Sequence, residues 1–441
     1  MTKLEKLSYL ISDYSTGKGT WLIQRDTIAS YHERIPVQEA RRTFREHYGE
    51  EINTNKINDT MQRFAEEHYH VISDFEIERN LIHFANCVYI IDKGIAIARE
   101  FGSPGKQLYE IADSDVKYSA IDFSLDDYNV KTLYISKHEY HPDARVPVEF
   151  IEYVERVLNN DEEKIAQLYE FCGYCLTNIV RFKKAAMFFG DTNTGKSTLA
   201  KIILNVVDNY AMEKISDITK KKNFNRASLY HKKVNYDDEG GSSSIKNADY
   251  FKQLTGWEEI NIERKGVQPF AALHTCKILV SANRLGEVES LDEIFANRWL
   301  IFEFYNMFSQ EEIAQDNGKF LTRMKKQENV EGLIRLFITH LRELLKRGRF
   351  EHEETNLEFW RMHSDIVYRF VKEFCEKSND PNFCDECSVV YEEFVAYAET
   401  QPENPITSQN MFTRRLKAIG VRQLDAHVAG KHVKCYNLIV H

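Results

Sequence analysis

Lys184-Ala185-Ala186-Met187-Phe188-Phe189-Gly190-Asp191-Thr192-Asn193-Thr194-Gly195-Lys196-Ser197-Thr198-Leu199-Ala200 joins an apolar run to a glycine-bounded turn and the start of a helix. Residues 184–190 read as a short apolar strand, and the residues from Ser197 to Val207 as a helix. Between them Gly190–Ser197 matches G-x-x-x-x-G-K-[ST], in the strand-to-helix context the pattern requires. Its glycines let backbone N–H groups curl around phosphate oxygens without Cβ clashes, and the helix start adds its positive dipole end. Gly190, Asp191, Thr192, Asn193, Thr194, Gly195, Lys196, Ser197 and Thr198 are therefore the candidate nucleotide-binding residues. Lys196 is expected to reach the β- and γ-phosphates of ATP, and the Ser197 hydroxyl to ligate Mg²⁺. A second basic stretch, Ser15-Thr16-Gly17-Lys18-Gly19-Thr20, lacks the first glycine and a preceding strand and reads as a solvated loop.

Downstream, Lys232-Lys233-Val234-Asn235-Tyr236-Asp237-Asp238-Glu239 reads as a strand ending in acids. An α/β sheet presents its ligands at strand C-termini. A phosphate site needs one carboxylate for the metal and usually another to polarise the attacking water. Asp238 and Glu239 are assigned these two roles, with Asp237 an alternative for either. Lys277-Ile278-Leu279-Val280-Ser281-Ala282-Asn283 is a buried strand tipped by an amide suited to the γ-phosphate or the lytic water. Arg298, just before the strand Trp299–Phe304, reads alone as a surface salt-bridge residue. Beside the other three parts it is a candidate to stabilise transition-state charge on a neighbouring subunit's ATP. Between the acids and Asn283, Ile260 and Ile262, then Arg264-Lys265-Gly266, then Val267 and Phe270 read as a β-hairpin with a basic tip suited to a phosphate backbone.

The alternation of strand and helix over 184–305 predicts a layered α/β core with a largely parallel sheet. The whole chain is expected to be multidomain α/β, since 441 residues exceed one compact core. Residues 1–78 read as a mostly helical, charged region, with helical spacing at Gln38–Tyr48 and Thr54–Tyr69. Residues 79–182 read as a β-hairpin region turning at Asp92-Lys93-Gly94, then a helical lead-in. Residues 183–350 form the core with a helical extension. Residues 360–441 read as a small α+β module: helices 364–377 and 387–400, then a helix placing Phe412, Leu416 and Ile419 inward and Gln409, Thr413, Arg414 and Lys417 outward. Gly420 ends that helix, and Arg422–Val440 reads as a hairpin. From Ile406 to His441 six Lys/Arg (Arg414, Arg415, Lys417, Arg422, Lys431, Lys434) face one acid, Asp425. On a chain of net charge −10 this basic end suits a winged-helix DNA reader, with Arg414, Lys417 and Lys431 as contacts.

With 43% apolar residues but no run of the roughly 18–20 needed to span a bilayer, a soluble protein is expected, with no membrane partner. The charged N-terminus lacks the apolar stretch of a signal peptide, so the cytoplasm of a cell or infected host cell is the expected place. The eight cysteines are expected to be reduced. Cys172 and Cys175 read as core. Zinc at Cys375, Cys384 and Cys387 would need a fourth ligand such as Cys435 and is the disfavoured reading.

Taken in order, Gly190–Thr198, Lys232–Glu239, Phe251–Lys265, Lys277–Arg284 and Phe295–Phe304 resemble the superfamily 3 helicases. The likeness is to the helicase half of phage, plasmid and poxvirus-type primase–helicases, and Leu168–Asn178 resembles that family's lead-in. The resemblance spans about residues 80–305 and more weakly the C-terminal module. It implies an AAA+ type P-loop ATPase working as a homo-oligomeric ring, a hexamer, around single-stranded or forked DNA. It implies metal at Ser197 and Asp238, Glu239 as base, Asn283 as sensor, Arg298 as arginine finger, and Lys265 with Arg264 at the DNA. Family members often carry an N-terminal primase; the residues before the lead-in are too few for one, so no primer synthesis is expected from this chain, and a separate primase or polymerase is a candidate partner. The function this implies is a replicative helicase of a mobile element or virus. The alternatives are a DNA packaging or remodelling motor and an ATP-switched origin-binding protein.

Overall fold

The computed structural model describes residues 10–12, 20–24, 32–36, 81–98, 108–112, 120–121, 136–220, 224–230, 232–239, 245, 247–256, 258–263, 270–286, 288, 291–351, 356–378, 384–401, 408–428 and 431–441. The chain divides into two compact units. The first contains residues 1–240, 249–283 and 298–353; the second contains 241–248, 284–297 and 354–441.

In the first unit, β1 (Leu10–Ser12), β2 (Thr20–Gln24) and β3 (His32–Pro36) form an antiparallel sheet. This corrects the helical reading of 1–78 where that region is described. Thr20-Trp21-Leu22-Ile23 is a β-branched and aromatic run that favours a pleated surface over a helix. The helices expected at 38–48 and 54–69 lie outside the described residues. β4 (Leu81–His83), β5 (Cys87–Ile90), β6 (Ile95–Ala98), β7 (Leu108–Ala112) and β8 (Ala120–Ile121) follow as an antiparallel meander. The expected hairpin is β5–β6, with Ile90 paired to Ile95 across the Asp92-Lys93-Gly94 turn.

α1 (Val148–Val157) and α2 (Glu162–Cys175) lead into the central sheet. β9 (Ala185–Gly190) is followed by α3 (Lys196–Val207), β10 (Tyr210–Ala211), α4 (Ile215–Ile218) and β11 (Val234–Asp237). Then come α5 (Ala248–Thr255), the hairpin β12 (Glu259–Ile262) and β13 (Phe270–Leu273), and β14 (Lys277–Ala282). α6 (Glu293–Ala296), which belongs to the second unit, precedes β15 (Trp299–Phe304). The five strands lie in the order β10-β11-β14-β9-β15, all parallel. β9, β14 and β15 are near-continuous apolar runs because both faces of a parallel sheet are covered.

α7 (Gln310–Asp316), α8 (Lys319–Met324) and α9 (Gln327–Arg347) complete this unit. Val330, Leu333, Ile334, Phe337, Ile338, Leu341 and Leu344 form one buried stripe of α9. It packs on α2 so closely that a Cβ on Gly173 would lie 2.3 Å from the Phe337 carbonyl oxygen. Cys172 and Cys175 are buried in this core, as expected.

The second unit holds α10 (Leu357–Ser364), α11 (Ile366–Phe374), β16 (Cys375–Lys377), α12 (Cys387–Thr400), α13 (Gln409–Ala418), β17 (Gln423–Val428), β18 (Lys431–Tyr436) and β19 (Leu438–Val440). β17 and β18 form the expected hairpin, while β19 pairs with β16. Phe370, Phe394, Phe412, Leu416 and Tyr436 build its core. Among the described residues, no helix is long and apolar enough to cross a membrane.

Candidate functional site

Three adjacent strands end at one level. Ala282 on β14 pairs with Phe189 on β9, so Asn283 lies level with Gly190. Asp237 on β11 pairs with Val280, so Asp238 lies level with Ser281. Past these C-terminal ends lies a cleft of about 900 Å³ lined by Thr192–Thr198, Lys201, Asp238, Ser281 and Asn283. This is the edge at which an open α/β sheet offers ligand sites.

The glycine-rich loop is held in shape from both sides. Gly190 has φ +148°, and a Cβ there would lie 2.3 Å from the Phe304 carbonyl oxygen. Gly195 has φ +95°, and its Cβ would meet the Tyr153 hydroxyl at 2.4 Å. Tyr153 donates to the Gly195 carbonyl at 2.7 Å, and the Phe308 N–H donates to the Asn193 carbonyl at 2.8 Å. Asn193 itself adopts φ +63°. Lys196 opens α3 and is buried; its ammonium donates to the Gly190 carbonyl at 2.7 Å and to the Asp191 carbonyl. Burial lowers the Lys196 pKa, with Asp191 opposing.

The two neighbouring acids behave differently. Asp237 is buried: its Oδ2 accepts from the Ile215 N–H at 2.7 Å and its Oδ1 from the Glu239 N–H at 3.2 Å. Burial raises its pKa despite these bonds. It caps the start of α4 and does not line the cleft, which Asp238 does. Glu239 is exposed, lies outside the cleft lining, and pairs with Lys214 at 3.2 Å. Arg298 precedes β15, whose first residue, Trp299, pairs with Ala185 at the opposite end of the sheet from the loop. Its guanidinium donates to the Lys252 carbonyl at 3.3 Å and to Thr255 Oγ1 at 3.2 Å, capping the C-terminal end of α5. The loop, Asp238 and Asn283 are thus brought together; Glu239 and Arg298 are not.

Several lining residues carry no local motif. Tyr153 on α1 rests between Phe308, at 5.9 Å, and Phe320, at 4.7 Å between ring centroids. Arg156 lies 4.0 Å over the Phe308 ring and forms a two-pronged pair with Glu312 at 2.7 and 3.1 Å. Hydrogen bonding from Arg156 pulls the Glu312 pKa down to about 2. Tyr236, buried beneath the lining, places its hydroxyl 2.9 Å from Oγ of the lining residue Ser281. Two-residue alternation with Asp238 along one strand is the signal that marks it.

Residues 188–298 match the model of a family of unknown function (DUF5906). No curated protein matches the chain. Among solved structures, the A-form apo NrS-1 C-terminal region is similar at 13% identity and a TM-score of 0.40, covering 79% of this chain and 96% of that one. The apo NrS-1 C-terminal region (305–718) is similar at 14% identity and a TM-score of 0.38, covering 79% and 97%. JCV helicase bound to a thiazolopyridine acetamide is similar at 14% and 0.30, covering 51% of this chain and 64% of that one.

The proposed nucleic-acid contacts lie elsewhere. Strands β12 and β13 pair as the expected hairpin, but Arg264 and Lys265 at its tip are outside the described residues. In the second unit Arg414 and Lys417 are exposed on α13, and the Lys431 side chain is outside the described residues. Thr413, expected outward, instead places its hydroxyl 2.7 Å from the Tyr436 hydroxyl and donates to the Gln409 carbonyl. A short β-hydroxyl reaches both the helix backbone and the hairpin, so it serves packing.

Proposed function

We propose that this chain is an ATP-driven DNA helicase of the superfamily 3 kind, with an AAA+ type P-loop core. The observation that supports it most is the convergence of the Gly190–Ser197 loop, Asp238 and Asn283 at the ends of β9, β11 and β14. Lys196 would neutralise the β- and γ-phosphates, and the loop N–H groups would cradle them. Asn283 would orient the attacking water. The Ser197 hydroxyl and Asp238 carboxylate, both in the cleft lining, are the hard oxygen donors that suit Mg²⁺ and would hold it. When bound, Mg²⁺ supplies charge neutralisation for the phosphates. Glu239 would act as base once released from Lys214. Arg298 would act in trans in a hexameric ring, leaving the end of α5. Arg264 and Lys265 would contact DNA within the ring, and the winged-helix-like second unit would add Arg414, Lys417 and Lys431.

The Glu239–Lys214 pair also favours a second reading, an ATP-switched DNA-binding protein with slow turnover. ATP hydrolysis with and without single-stranded DNA separates the two. Stimulation several-fold, lost in Lys196→Ala, supports the motor; ATP binding without turnover supports the switch.

A further inference from the structure

The segment 136–147 crosses the first unit before α1 begins. One end is fixed to α3: Ser136 Oγ and the Lys137 N–H donate to Asp208 at 3.0 and 2.8 Å, and His138 Nε2 donates to the Asn205 carbonyl at 2.7 Å. The other end lies on α9: Arg335 donates to the Ala144 carbonyl at 2.9 Å. Gly332 permits this approach, since a Cβ there would lie 2.1 Å from the Arg145 carbonyl oxygen.

Between these anchors three ligand-type side chains converge. His141 Nε2 lies 3.0 Å from Glu139 Oε2 and 3.8 Å from Glu331 Oε1, and the three ligand atoms are all within 4.8 Å of one another. One imidazole N–H donates to one acceptor, so two carboxylates share a single nitrogen. Arg335, one turn along α9, points its donor at the Ala144 carbonyl instead. Gln327 donates to Glu331 Oε1 at 2.9 Å and fixes that side chain, the role outer hydrogen bonds play around a ligand.

We propose that Glu139, His141 and Glu331 form a binding site for a divalent transition-metal ion of the zinc class. Bonds of roughly 2.0–2.1 Å in tetrahedral geometry place donor atoms about 3.3 Å apart, and the observed 3.0 and 3.8 Å bracket that spacing. One imidazole with two carboxylates favours such an ion over Mg²⁺ or Ca²⁺, which take oxygen ligands. All three side chains are partly exposed, which leaves an entry path and a position for water. The ion would cross-link the segment to α9. It would do so whatever the nucleotide cleft does.

The test uses the full chain after chelator treatment, titrated with Zn²⁺ alone and with Co²⁺ alone. Wild type is expected to bind one more equivalent of Zn²⁺ than His141→Ala or Glu331→Gln, or to bind it at least about tenfold more tightly. Zn²⁺ should raise its unfolding temperature and not theirs. The Co²⁺ spectrum should show a visible band, absent in the variants, without the near-ultraviolet thiolate charge transfer that marks binding at the eight cysteines. Equal stoichiometry and affinity in wild type and both variants, or a Co²⁺ signal that is wholly thiolate, overturns the proposal. Circular dichroism of Glu331→Gln, the near-isosteric change, separates lost binding from lost folding.

Discussion

Asp237 and Asp238 are neighbours with opposite surroundings: Asp237 is buried on the N–H groups of Ile215 and Glu239, while Asp238 faces the cleft that holds the glycine-rich loop. Asp237 is the last residue of β11 and its carboxylate is taken up by backbone N–H groups, so of these two acids Asp238 is the one that lines the cleft. Asp237→Asn is expected to lower stability by about 1–3 kcal/mol, because a carboxylate accepting two backbone bonds is replaced. Asp238→Asn should unfold like wild type and lose ATP hydrolysis. Thermal unfolding beside a hydrolysis assay checks both; the reverse pattern would exchange the two roles.

Gly195→Ala is expected to abolish nucleotide binding. The left-handed φ costs about 1–2 kcal/mol for a non-glycine residue, and the new methyl collides with the Tyr153 hydroxyl. Gly348→Ala, outside the cleft lining, is the control: φ is +80° there, but nothing lies within 4 Å of the added carbon. Fluorescent-nucleotide titration should show lost binding in the first variant and wild-type binding in the second.

Arg298→Ala should lower stability by roughly 1 kcal/mol through loss of two hydrogen bonds at the end of α5. If Arg298 also serves a neighbouring subunit, mixing this variant with Lys196→Ala should restore part of the hydrolysis that each lacks alone. A mixture as inactive as its components would confine Arg298 to capping.

His274 makes the fold acid-sensitive. Burial lowers its pKa to about 4, and Nδ1 donates to the Leu254 carbonyl at 2.8 Å. Between about pH 6.5 and 4 the unfolded chain binds a proton the folded one does not, so this stability is present above 6.5 and lost as pH falls. The loss amounts to about 3 kcal/mol across that window, at 1.36 kcal/mol per pKa unit. Denaturant unfolding of wild type and His274→Gln at pH 7 and 4.5 should show a smaller drop in the variant; an equal drop removes His274 as the cause.

Much of this site is legible in the amino-acid sequence. β9, β14 and β15 are apolar runs stopped by polar residues, and Gly190 and Gly195 stand where backbone shape demands glycine. Other parts had no local signal. Asp237 and Asp238 differ only by strand face, which one acidic string does not fix. Tyr153 and Phe308 come from segments more than 150 residues apart and meet only in the folded chain. The strands at 10–12, 20–24 and 32–36 have a weak signal, because charged residues flank the short β-branched run at 20–24.

ATP hydrolysis by wild type and Lys196→Ala, with and without single-stranded DNA, decides whether this chain is a DNA-stimulated motor. Wild type is expected to turn over ATP, several-fold faster with DNA, and Lys196→Ala to show none with its fold intact. Wild-type turnover that ignores DNA in every form, or equal turnover by Lys196→Ala, would contradict this expectation.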